Sequence, residues 1–204
     1  LPFFDRSDEE AFFWTESAFH YRHFLSVVDG KGVPWHDREI QYPEGMDVAR
    51  DETPVMDIVY GTLYRLFFRS VPPRLFITWA VLIFSSLSIV AIFLAGRILW
   101  RSNLAAFIIA FFYGFAPASL VRNAGGGYIR EDFALPFIFF SFACFLQALR
   151  KDRVLVSFLG SLLLVMALAS WHVSQLYLSL FVGGFAAVYA FLGSEALPRK
   201  GLLV

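Results

Sequence analysis

Residues 75–96, LFITWAVLIFSSLSIVAIFLAG, run without a charged side chain. A helix rising 1.5 Å per residue needs about 20 apolar residues to cross a hydrocarbon core of about 30 Å. The stretch therefore reads as a membrane span, and it makes a bilayer the solvent against which the rest of the chain is read. Downstream, residues 104–121, 133–149, 154–170 and 173–192 are also uncharged and apolar. The expected fold is mainly α: a polytopic helical membrane protein of about five spans over 75–204, preceded at 1–74 by a long extracytoplasmic loop containing amphipathic helices.

Composition agrees. Hydrophobic residues make up 58% of the 204, aromatic residues 19%, and mean hydropathy is +0.61, well above the roughly 45–50% apolar usage of soluble domains. The 17 acids and 17 bases cancel, yet 13 of the acids fall in residues 1–74 with 8 of the bases, leaving 4 acids and 9 bases beyond. Lys and Arg gather on the cytoplasmic side of short loops. Arg97 and Arg101, then Arg150, Lys151 and Arg153, then Arg199 and Lys200 mark alternate loops as inside. Residues 122–132, the turn at Trp171–His172 and the N-terminal region then share the outer face. The lone Cys144, in FSFACFLQAL, reads as a packing residue. No basic stripe for nucleic acid is present. The start, LPFFDRSDEE, has neither the basic and apolar regions of a signal peptide nor an initiating Met, so a piece of a longer protein is expected.

Within 1–74, Ser7 with Glu10 forms a capping-box pattern, and Gly30 can end the helix that follows. Phe12, Phe19 and Val27 recur at helical spacing, as on a helix lying against a membrane or bundle. Pro34, Pro43, Gly45 and Pro54 predict an irregular loop over 31–54, and residues 55–70 predict an amphipathic helix leading into the first span.

Four stretches are candidates for chemistry; one, HDREIQYPEGMD, residues 36–47, is dense in acids and held by Pro43 and Gly45, a pattern that by itself reads as a solvated loop. In WTESAFHYRHF, Glu16 shares a helix face with His20 and His23 at i+4 and i+7; a base, a metal ligand and a solvated pair all fit that pattern. In NAGGGYIREDFALP, residues 123–136, three glycines allow backbone to approach a phosphate while Arg122 and Arg130 supply charge. A helix beginning near Glu131 points its N-terminus at the same surface; equally, Glu131 and Asp132 can be simple first-turn acids. Trp171 and His172 lie at an outer helix end, where aromatic belts are common.

Taken in order, these motifs resemble the membrane-embedded glycosyltransferases of the C superfamily, which use polyprenyl-linked sugars on the extracytoplasmic face. Glu16, Phe19, Tyr21 and Arg22, followed by Trp35, Asp37, Tyr42, Pro43 and Gly45, are similar to the first external loop of the oligosaccharyltransferase catalytic subunit. Arg122, Gly126, Tyr128 and Glu131 are similar to its second motif, with Ile129 where that motif has Asp. Thr15–Glu16, Arg130–Glu131, Phe133–Ala134, Pro136, Trp171 and Gln175 resemble instead the C-mannosyltransferases that modify tryptophan with dolichyl phosphate mannose.

The resemblance implies an enzyme moving a sugar or oligosaccharide from a polyprenyl phosphate or diphosphate to an acceptor, foremost a protein in the oligosaccharyltransferase manner, with tryptophan C-mannosylation as the alternative. It assigns Glu16 and Glu131 to catalysis, Arg130, Arg122 and Gly126 to the donor phosphate, and Asp37, Asp132, Trp171 and His172 to the acceptor or to support. It also implies a divalent cation, Mg or Mn, on Glu16, Glu131 and Asp132; Ile129 removes one expected carboxylate ligand. A helix before Leu1, and further spans and a soluble domain after Val204, belong to the same expectation. A lipid-binding scaffold or transporter fragment is the non-enzymatic alternative, in which charges line a path near the midplane.

Overall fold

A computed structural model describes residues 16–40, 43–117, 127–151 and 153–192, which are mainly helical. They fall into two compact units, one from the described residues of 1–85 and 120–133, the other from those of 86–119 and 134–204.

In the first unit, α1 (Glu16–Val28) ends as expected at Gly30, whose φ of +81° suits a residue without Cβ. Gly30 N–H reaches Val27 O at 3.0 Å and Lys31 N–H reaches Ser26 O at 3.0 Å, the paired bonds of a Schellman stop. The buried face of α1 carries Ser17, His20, Tyr21, His23, Phe24 and Val27. Phe19 is only half-buried, and Phe12 lies outside the described residues. The helix thus turns its histidines inward and leaves Phe19 on the flank, because acids on other segments receive the imidazoles.

The stretch expected to be irregular contains a two-residue antiparallel pairing, β1 (His36–Asp37) with β2 (Met46–Asp47), and a short helix, α2 (Val48–Asp51). His36 Nδ1 to Asp47 Oδ1, 2.7 Å, ties the strands side chain to side chain. Gly45 adopts φ +76° beneath the His36 ring. Helix α3 (Val55–Leu63) continues into a π-helical turn, Tyr64–Phe68, matching the amphipathic helix expected over 55–70. It crosses α1 closely where Gly61 faces Val27 and the Phe24 carbonyl. Phe24, Tyr60, Tyr64, Phe76, Tyr128 and Phe133, all buried, form the aromatic core of this unit, each near pair adding about 0.5–1.5 kcal/mol beyond burial.

Helices α4 (Pro73–Trp100) and α6 (Arg130–Lys151) contribute to both units and are long and apolar enough to cross a membrane. The remaining helices are α5 (Asn103–Phe115), α7 (Val154–Ser170) and α8 (Ser174–Leu192). Each falls on an expected span, although α5 is described for only 13 residues and positions 118–121 lie outside the description. Close packing follows small residues. Gly96 lies against the Ala106 backbone, and Gly160 lies against Cys144 and the Ser141 carbonyl. Cys144 thus packs, half-buried, against Gly160. The faces turned away from neighbours are apolar, with Phe112 on α5, Leu155 on α7 and Leu180 on α8 all well exposed.

Candidate functional site

The i, i+4, i+7 row on α1 becomes a polar seam through the first unit. Glu16 is the outermost member, its side chain 39% exposed, whereas the side chain of His20, one turn on, is fully buried. His20 Nε2 lies 3.6 Å from Glu16 Oε1, and His20 Nδ1 donates to Asp57 Oδ2 on α3 at 2.9 Å. A turn further, His23 Nδ1 stands 3.9 Å from the same Asp57 oxygen, and its Nε2 donates to Asp37 Oδ2 at 3.1 Å. Asp37 also accepts from Arg22 and, at 3.0 Å, from the Glu39 backbone N–H. These bonds fasten the loop over 31–47 to α1.

The opposite side of Glu16 is closed by Arg130, the first residue of α6. Its Nε and Nη2 donate to Glu16 Oε1 at 3.0 and 2.9 Å, and its Nη1 pairs with Glu52, in the turn between α2 and α3. Tyr128 N–H donates to Ser17 Oγ at 3.0 Å, which docks the segment carrying Arg130 against α1.

Electrostatics follow from this geometry. The neighbouring His20 imidazole, against the opposing influence of burial, and then the Arg130 guanidinium hold the Glu16 carboxyl at about 2, from an ordinary 4.5. Burial alone would drive His20 down; its bond to Asp57 and the Glu16 carboxylate 3.6 Å away outweigh that and hold it at about 9, from 6.5. Glu16 is thus carboxylate and His20 imidazolium at neutral pH. Burial opposes ionisation of Asp37, but His23, the Glu39 N–H and Arg22 bring it below its usual range. Burial, followed by the Asp132 charge at Tyr60 and the Asp57 charge at Tyr128, pushes both phenols upward.

Of the residues marked in sequence, Glu16, Arg130 and Asp37 meet in this one network. Asp132 is buried near Tyr60, and Glu131 is half-buried in the first turn of α6. Both acids are favourably placed toward the helix N-terminus. Trp171 and His172 sit in the turn between α7 and α8, in the second unit, with His172 exposed and the Trp171 ring 6.3 Å from Tyr177. Arg122 and Gly126 lie outside the described residues. Sequence reading missed Asp57 and Glu52. Asp57 was visible only as a lone acid in an apolar helical window, and Glu52 only as one of several acids in a loop.

Among the described residues no three His, Cys, Asp or Glu side chains converge to hold a metal ion. Glu16 faces a guanidinium and an imidazolium, whose charges oppose a divalent cation. Among the described residues Glu16, Glu131 and Asp132 are not gathered into such a group.

Two of the described helices are long and apolar enough to cross a membrane, and in the first unit a carboxylate is held between an imidazole and a guanidinium. Residues 6–195 match the family Dpy19, described as Q-cell neuroblast polarisation, and the chain belongs to that family. Dpy19 proteins are C-mannosyltransferases of the C-superfamily type, so the match supports the broad superfamily and not the oligosaccharyltransferase-like assignment. No curated protein and no solved structure matches the chain.

Proposed function

We propose that this chain supplies the extracytoplasmic acid–base site of a multi-pass membrane C-mannosyltransferase, which moves mannose from a polyprenyl phosphate to carbon 2 of a tryptophan indole in a protein acceptor. The observation that carries the reading is the state of Glu16: half-exposed, ionised, and held far below the usual carboxylate range between His20 and Arg130.

Such a carboxylate is a weak base, poorly matched to taking a proton from a neutral amide or hydroxyl before attack. An indole carbon asks for something else. Its π electrons form the bond to the anomeric carbon as the bond from that carbon to the phosphate oxygen breaks, both electrons leaving with the phosphate. The ring is then cationic and its C2 hydrogen strongly acidic. A fixed carboxylate stabilises the positive charge as it develops, then accepts that proton, and the C–H electrons restore the aromatic ring. The departing phosphate is met by positive charge from Arg130, with Arg122 and the backbone around Gly126 as its further contacts. Glu131 is assigned to the acceptor side, and Asp37 to support of the loop beside α1.

The test is transfer by the full-length protein in membranes. It is offered polyprenyl phosphate mannose with a tryptophan peptide and, separately, a diphosphate-linked oligosaccharide with an asparagine peptide. Hexose on tryptophan is expected. Transfer only from the diphosphate donor to asparagine overturns the reading in favour of the oligosaccharyltransferase branch, and binding of either lipid without transfer favours a scaffold. Glu16→Gln is expected to lower turnover by about 10²–10⁴ while leaving the protein folded.

A further inference from the structure

Each of the two cations on Glu16 ends on a second carboxylate. One arm runs from Glu16 through His20 to Asp57, and the other runs from Glu16 through Arg130 to Glu52. Side-chain exposure is 0% for both His20 and Asp57, 9% for Arg130 and 21% for Glu52, against 39% for Glu16. Glu16 is the most open of the five, and the four others lie behind it.

Stability alone gives little reason for this arrangement. Buried ion pairs are often no better than apolar side chains of the same volume, because desolvation offsets the attraction. What they do supply is a fixed direction. A glutamate on a helix surface has several rotamers, whereas one gripped by a ring on its own helix and a guanidinium on another segment is held to one. Those grips are themselves fixed only if the imidazole and the guanidinium cannot turn. Asp57 takes Nδ1–H of His20, which sets the ring plane, and Glu52 takes the Nη1 end of Arg130, leaving Nε and Nη2 for Glu16. Outer partners that orient the ligands of a metal are commonly worth about 10–100-fold, and an effect of the same order is expected of partners that orient a reactive carboxylate.

We propose that Asp57 and Glu52 are positioning residues, acting through His20 and Arg130 to hold the Glu16 carboxylate in the single orientation in which it meets the reacting ring carbon. The proposal rests on the reading of Glu16 as the proton acceptor.

The experiment is steady-state kinetics of the full-length protein carrying Asp57→Asn, Asp57→Ala, Glu52→Gln or Glu52→Ala, with donor and acceptor varied separately. The expected result is a kcat lowered by about 10–100-fold with KM for both substrates unchanged. Asp57→Asn should lose less than Asp57→Ala, since an amide oxygen still accepts from His20 Nδ1. Glu52→Gln, at a partly exposed position, keeps the test open if the Asp57 variants do not accumulate as folded protein. Wild-type kcat in Glu52→Gln and in whichever Asp57 variants fold overturns the proposal. A raised KM with intact kcat also overturns it, by making these acids substrate contacts. If the wild type transfers from the diphosphate donor and not to tryptophan, the functional reading falls, and the same comparison of kcat is made with that donor.

Discussion

Replacing Gly61 by alanine places a methyl group in the seam between α1 and α3, where a Cβ would stand 2.6 Å from Val27 Cγ1, 2.7 Å from Val27 Cβ and 3.2 Å from the Phe24 carbonyl oxygen. An ordinary carbon contact is about 3.5–4.0 Å, so the helices must separate by about 1 Å. Neither neighbour yields easily: Val27 is β-branched with a stiff χ1, and Phe24 offers backbone. The same seam holds the 2.9 Å bond from His20 to Asp57, one helical turn before Gly61 on α3. An added ångström carries that pair beyond hydrogen-bonding distance. Overpacking costs about 1–3 kcal/mol, and losing a buried bond to a charged group costs about 1.5–3 kcal/mol. Alanine returns about 0.5–1 kcal/mol of helix propensity. A net loss of about 2–5 kcal/mol is expected, together with a fall in transfer rate. Thermal unfolding of the full-length protein measures the first and mannosyl transfer the second. Gly184→Ala, where a Cβ meets nothing within 4 Å, is the matched control and should be neutral or slightly stabilising. A Gly61→Ala protein as stable and as active as wild type would refute the claim that this crossing sets the His20–Asp57 contact.

Three further outcomes are expected. His20 is held at about 9 in the folded protein against an ordinary 6.5, so its contribution to stability is complete below about pH 6.5 and lost as pH rises through 9; a melting temperature that falls over this window in wild type, and no longer does in His20→Gln, is the check. On the acid side, Glu16 at about 2 against 4.5 contributes in full above about pH 4.5 and loses that contribution as pH falls toward 2, a slope that Glu16→Gln should flatten. Gly45→Ala combines a left-handed backbone, which costs an ordinary residue about 1–2 kcal/mol, with a Cβ placed 2.5 Å from His36 Nε2; limited proteolysis should cut sooner between residues 31 and 47.

The apolar helices and the helix ends were legible because their causes are local. An uncharged run of span length reads as α4 wherever it occurs, and Gly30 stops α1 through bonds that reach no further than Ser26. The i, i+4, i+7 row of Glu16, His20 and His23 was legible for the same reason. What it would meet was not. Asp57 is 37 residues from His20, and Arg130 is 114 residues from Glu16, so no spacing rule connects them. The buried face of α1 was misread toward Phe19 because hydrophobicity ranks histidine as a surface residue. Each buried imidazole has a carboxylate within 4 Å of each ring nitrogen, which offsets the cost of taking it inside. The β1–β2 pairing escaped because two residues a side carry no periodicity; it depends on Gly45 and on a contact between His36 and Asp47.

The distribution of charge also bears on the isoleucine at 129. A carboxylate meant for a divalent cation is best surrounded by other carboxylates and kept clear of bound cations, since each one repels the metal. Around Glu16 the alternation runs the other way: acid, base and acid along each arm, so that every carboxylate has a nitrogen cation as its neighbour. Ile129, between Tyr128 and Arg130 in sequence, adds no acid to this alternation. Such a cluster is suited to a step in which a proton and a transient positive charge arrive from the substrate. On the proposed reading the acid that receives them is Glu16, the member of the two arms left most open.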